Sequence, residues 1–197
     1  MDTSNNQATK AQEMAALVQK EIKSARLHRS VVVVLTGNGK GKTTSASGML
    51  LRARGHNKRC ALFQIFKAGA ESGEVKMLGE VGVKVFKAPC VCWWHEPSTS
   101  DLMERIKPYL EEVKHALLSG DYDLVVLDEG TYLLRPELWG DEALIKLLEA
   151  RAPKTSVVIT GREAPLSLCQ IADTVTNMQA QKHAFEAGIA AQKGIEW

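Results

Sequence analysis

The stretch Val31-Val-Val-Val-Leu-Thr-Gly-Asn-Gly-Lys-Gly-Lys-Thr-Thr44 decides the fold. Its first five residues are apolar and largely β-branched, the composition of a strand buried on both faces. The glycines that follow let backbone N–H groups turn toward an anion without a Cβ in the way. A helix opening at Lys42 would then aim its positive dipole end at the same point. Strand, glycine loop and helix in that order are the setting of a phosphate-binding loop. The residues expected on the phosphates are Gly37, Asn38, Gly39, Lys40, Gly41, Lys42, Thr43 and Thr44. Lys42 supplies a cation, and the Thr43 hydroxyl is a candidate ligand for Mg²⁺. The spacing departs from GxxxxGK[ST], because Thr36 stands where the first glycine belongs and Gly37 comes one residue late. The loop therefore reads as a compressed variant.

Downstream, Leu124-Val-Val-Leu127 runs into Asp128-Glu129, an apolar strand ending in carboxylates. Asp128 and Glu129 are both candidates to hold the metal, directly or through water. Further strands are expected at Cys60–Ile65, Val83–Phe86, Ser156–Thr160 and around Val175. Helices are expected at Lys42–Arg54, Asp101–Ser119 and Glu142–Ala150. This alternation predicts an α/β fold of the P-loop NTPase (RecA-like) kind, a mostly parallel sheet with helices on both faces. Residues 67–100, rich in Gly, Pro, Cys and Trp, are the least regular part.

Ahead of the first strand, Met14, Val18, Ile22 and Ala25 fall at helical spacing. The expected organisation is a disordered tail at 1–9, an amphipathic helix at 10–29 and a single α/β domain at 30–197. The apolar stripe of that helix could pack on its own domain, on a second subunit, or over an active site as a cap.

Of 197 residues, 45% are hydrophobic and 24% charged, which suits a globular chain and excludes wholesale disorder. The net charge of +2 is too balanced for nucleic-acid binding through bulk charge. No apolar run approaches a membrane span, and the opening Met-Asp-Thr-Ser-Asn-Asn-Gln lacks signal-peptide character. A cytoplasmic location is expected, with Cys60, Cys90, Cys92 and Cys169 as free thiols. Cys90, Cys92 and His95 offer three ligands at tight spacing, short of the four of a structural zinc site.

The loop Gly37–Thr44 resembles that of the CobA/CobO-type ATP:corrinoid adenosyltransferases. Other stretches resemble the same family in the same order. They are Arg52-Ala-x-Gly55-His56, Gln64 with Lys67, Gly73-Glu74, Val125-Val-Leu-Asp-Glu129 with Tyr132, and Thr160-Gly-Arg162. The closing Lys182-His-Ala-Phe185-x-x-Gly188-Ile-x-Ala-Gln192-Lys-Gly-Ile195 resembles it as well. The resemblance implies transfer of the 5′-deoxyadenosyl group of ATP to the Co(I) of a reduced corrinoid, with triphosphate released and Mg²⁺ as cofactor. It implies Lys42, Thr43 and Glu129 as catalytic residues, and Arg52 and Arg162 as further contacts to ATP. Cobalamin, cobinamide or cobyrinic acid diamide would be the acceptor, in adenosylcobalamin biosynthesis or salvage. A reduced flavoprotein as electron donor and a homodimer are further implications. The family's aromatic loop, of the form Gly-Phe-Thr-Trp-Glu-Thr, is rewritten here as Pro89-Cys-Val-Cys-Trp-Trp-His-Glu-Pro97. Trp94 aligns most naturally with the family tryptophan, and a one-residue shift would use Trp93, so both are corrinoid-contact candidates. The competing functions are a P-loop ATPase or kinase, and a non-catalytic corrinoid- or nucleotide-binding relative.

Overall fold

The computed structural model describes residues 2–25, 27–67, 72–89 and 99–196. The expected parallel α/β fold is present. Six strands form one sheet: β1 (Val32–Thr36), β2 (Cys60–Gln64), β3 (Lys84–Lys87), β4 (Leu124–Asp128), β5 (Ser156–Thr160) and β6 (Thr174–Asn177). Their order is β3-β2-β4-β5-β1-β6, and every pairing is parallel. The helices are α1 (Asp2–Ser24), α2 (Lys42–Gly55), α3 (Gly73–Glu80), α4 (Thr99–Leu118), α5 (Gly140–Glu149) and α6 (Leu166–Ile171).

Side chains alternate across the sheet, as the two-residue period of a strand requires. Val34, Phe63, Val125, Leu127 and Ile159 pack with Ile106, Val113 and Leu117 of α4, Leu144 and Leu148 of α5, and Leu168 of α6. Leu35, Leu62, Val126 and Val158 pack on the opposite face with Ala46 and Leu50 of α2 and Val75 and Leu78 of α3. Both faces are thus covered, which is why the strands read as continuous apolar runs.

Two expectations about the fold need correction. The N-terminal helix runs Asp2–Ser24, so it includes residues placed in a disordered tail and stops short of residue 29. The polar residues at its start carry no apolar period, so hydrophobic spacing does not mark where the helix begins. Its apolar residues Met14, Leu17 and Val18 are exposed, so this stripe is not buried against the domain. Within the stretch read as irregular, α3 forms with only Val75 and Leu78 buried. Trp93, Trp94, Cys90, Cys92 and His95 lie outside the described residues. Among those described, no helix is long and apolar enough to cross a membrane.

Candidate active site

The carboxyl ends of β1, β2, β4 and β5 meet at one edge, where open α/β sheets place their ligands. The register sets Gln64 beside Asp128, and Leu127 beside Ile159, one step before Thr160. A cavity of about 440 Å³ opens there. Asn38, Gly39, Lys40, Gly41, Lys42, Thr43 and Thr44 line it, with Gln64, Lys67, Ser72, Glu74, Lys87, Glu129 and Arg162. Gly37 lines a neighbouring cleft with Thr36 and Asn177.

The shape of the loop follows from how closely the end of β6 approaches it. The Gly39 N–H donates to the Met178 carbonyl at 2.7 Å. A Cβ on Gly37 would lie 2.2 Å from Asn177 Oδ1 and 2.4 Å from the Met178 carbonyl oxygen, and its φ is +97°. Gly37→Ala combines a left-handed backbone with overpacking, a cost of about 2–4 kcal/mol. We expect it to lower the unfolding midpoint by roughly 5–15 °C, read by calorimetry. ATP binding should weaken along with it.

Gly41 sits at the N-cap of α2 with φ 103°, which releases Lys42 and Thr43 into the first turn. The Lys42 ammonium donates to the carbonyls of Gly37 and Gly39, both at 2.7 Å. Burial lowers its pKa and the charge of Arg162 acts in the same direction, while Glu129 and Asp128 oppose them. Two cations are therefore crowded at a desolvated point, an arrangement that an anionic ligand would relieve.

Asp128 is fully buried. Its Oδ1 accepts the Thr43 hydroxyl and the Thr160 hydroxyl, each at 2.8 Å, and its Oδ2 accepts the Lys67 ammonium at 2.8 Å. Thr160 also receives the backbone N–H of Glu129 at 2.9 Å. Glu129 follows in a left-handed conformation, φ 59°, which turns its side chain into the cavity. Burial raises its carboxyl pKa, and the charge of Asp128 adds to the rise. At the outer rim Lys40 pairs with Glu196, and His183 and Ile195 join the lining.

Thr43, Asp128 and Glu129 are hard oxygen donors within one neighbourhood, and the Lys67 ammonium lodged among them marks a place suited to a cation. That donor set fits Mg²⁺, which takes one or two carboxylates and fills its remaining positions with phosphate and water. Among the described residues, no cluster of three or more His, Cys, Asp or Glu forms an all-protein metal cage.

Arg52 is not brought into this arrangement. It is exposed in the last turn of α2, away from the cavity lining. Ten residues of helix separate it from Lys42, roughly 15 Å at the α-helical rise. Its guanidinium instead lies where it complements the C-terminal end of the helix dipole. Conversely, Thr160, Lys67 and Lys87 belong to the site without having been assigned a role there. The strand-end position of Thr160, directly after Ser156-Val-Val-Ile, is the signal that marks it.

Comparison with known proteins now separates the reactions a phosphate loop can serve. The family model for the ATP:corrinoid adenosyltransferases BtuR/CobO/CobP matches residues 28–197. The chain belongs to the ATP:corrinoid adenosyltransferase family. It is 36% identical to the corrinoid adenosyltransferase of Pseudomonas aeruginosa, over 92% of this chain and 91% of that one. It is 34% identical to corrinoid adenosyltransferase CobA of Salmonella typhimurium and 32% to that of Escherichia coli K12, each over 94% of this chain and 95% of the relative. The family match covers every described residue of the cavity, including the C-terminal stretch that carries Glu196.

Proposed function

We propose that the chain transfers the 5′-deoxyadenosyl group of ATP to the Co(I) centre of a corrinoid and releases triphosphate. The observation that carries the reading is a single cavity on a phosphate loop into which Lys40, Lys42, Lys67, Lys87 and Arg162 converge. Such a concentration of cations suits a whole triphosphate as the leaving group. The cobalt electron pair forms the bond to C5′, and the bond from C5′ to the triphosphate oxygen breaks. The departing oxygen takes that pair, so negative charge grows at the mouth of the loop. Lys42, which rests on the carbonyls of Gly37 and Gly39 in the free protein, would turn its ammonium to meet that charge. Mg²⁺, when bound, would neutralise part of that charge and fix the polyphosphate. Thr43, Asp128 and Glu129 would hold it. No side-chain nucleophile is required, because cobalt is the attacking atom.

The same reading assigns Trp93 and Trp94 to the corrinoid and includes a reduced flavoprotein donor and a homodimer, on the family resemblance. The exposed Met14, Leu17 and Val18 of α1 would give a second copy or the corrinoid an apolar surface. Product analysis with ATP, Mg²⁺ and chemically reduced cobalamin tests the reading. Triphosphate together with a Co–C absorbance change is expected. ADP as the product would replace it with an ATPase or kinase.

The metal role of Glu129 has a pH signature. Its pKa is raised, so protonation sets in at a higher pH than for an ordinary carboxylate. The ionised form holds a cation far more strongly than the neutral acid. Apparent Mg²⁺ affinity, measured by titration with ATP present, should therefore fall as pH drops through a window above the usual carboxylate range. Glu129→Gln should weaken Mg²⁺ by about tenfold and flatten that fall. An unchanged Mg²⁺ response would leave Asp128 as the metal carboxylate.

A further inference from the structure

Asp128 uses Oδ1 entirely on the hydroxyls of Thr43 and Thr160, which leaves Oδ2 as its open acceptor. The Lys67 ammonium occupies that acceptor at 2.8 Å and lies 3.4 Å from Thr43 Oγ1. Thr43 spends its proton on Asp128, so the oxygen it presents to Lys67 is a lone pair. The two oxygens that a metal would need at this point thus converge on an ammonium of the same chain. The carboxylate is fully buried and needs a counter-charge, whereas the Lys67 side chain is 32% exposed. A lysine is a compact cation on a flexible four-carbon stem, so it can leave one anion for another nearby. Lys67 also lines the cavity with Lys42 and Arg162, within the same pool of phosphate-binding charge.

We propose that Lys67 is an exchangeable counter-ion: it neutralises Asp128 before nucleotide arrives, yields that place to Mg²⁺, and turns to the triphosphate. The inference rests on the adenosyl-transfer reading of the site. It explains how a fully buried carboxylate can have its charge balanced without a metal. It also couples metal entry to phosphate entry, because Mg²⁺ alone must displace the ammonium before a triphosphate is there to receive it.

Wild type, Lys67→Met and Lys67→Arg separate the possibilities. With Mg²⁺ and no nucleotide, the unfolding midpoint of wild type should stay in place and that of Lys67→Met should rise by several degrees. Calorimetric affinity for MgATP and for inorganic tripolyphosphate should fall about tenfold in Lys67→Met and recover in Lys67→Arg. Equal Mg²⁺ shifts in wild type and Lys67→Met, or unchanged tripolyphosphate affinity, would overturn the proposal. Where Lys67→Met does not fold, the double variant Lys67→Met/Asp128→Asn removes the buried charge as well and should regain the midpoint. No regain would show that Lys67 is not the counter-ion of Asp128. Wild type that fails to bind ATP would count against the adenosyl-transfer reading, whereas the midpoint comparison between the single and double variants would still test the ion pair.

Discussion

Lys42→Ala should lose adenosyl transfer by about 10²–10³-fold while the protein keeps its fold. The ammonium is almost buried, bonded to the carbonyls of Gly37 and Gly39, and its pKa is lowered by that burial and by Arg162. Before ATP binds, such a cation is a cost. Removing it frees two carbonyls that water entering the cavity can reach, so the unfolding midpoint without ligand should move little. Once triphosphate is present the balance reverses, because the ammonium then faces the charge that grows on the leaving oxygen. The stabilisation that ATP confers on wild type, which grows as the logarithm of ligand over Kd, should largely vanish in the variant. Lys42→Met, which keeps most of the apolar stem, should behave alike and so separate lost charge from a packing defect. Near-normal transfer in both variants would remove Lys42 from the mechanism.

What made Lys42 legible was local. The run Val32–Thr36, the glycines after it and the helix at Lys42–Gly55 each carry their own signal, and all three agree. Leu124–Asp128 is legible on the same grounds, as an apolar run that ends in a carboxylate. The partners of Asp128 are not local. Lys67 follows β2 and Thr160 closes β5, and only the order β2-β4-β5 sets both beside the end of β4. No periodicity reports that order. Helix α3 escaped because eight residues with two buried side chains cannot establish a 3.6-residue period. Arg52 matches the motif by residue type, but its place in the last turn of α2 sets it outside the cavity, a distance that the motif does not carry. The turn of Glu129 into the site is a backbone property, a left-handed conformation held by the Thr160 hydroxyl, and the residue type alone does not signal it.

The larger combined effect is expected at Asp128, where fold and chemistry share one side chain. Asp128→Ala removes the acceptor of the Thr43 and Thr160 hydroxyls and of the Lys67 ammonium at once. Thr160 lies buried behind it, and an orphaned buried hydroxyl costs about 1–3 kcal/mol. The cavity left by the missing carboxylate adds to this. Lys67 limits the loss, because its exposed stem can return the ammonium to water. A midpoint lower by roughly 5–15 °C is therefore expected for a chain of this size. Asp128→Asn should be milder in stability, because the amide oxygen can still accept both hydroxyls. Its NH₂ would then face Lys67, so the ammonium should be driven off the site. In transfer the two variants should converge, each about 10²-fold or more below wild type, because neither offers a charged oxygen to the metal. The expected pattern is thus a split in unfolding midpoint with no split in activity. Equal midpoints would mean that the hydroxyl network contributes little, and Asp128 would then act through its charge alone. If Asp128→Asn instead kept its Mg²⁺-dependent transfer, the metal would rest on Glu129 and Thr43, and Asp128 would serve to hold Thr43 in place.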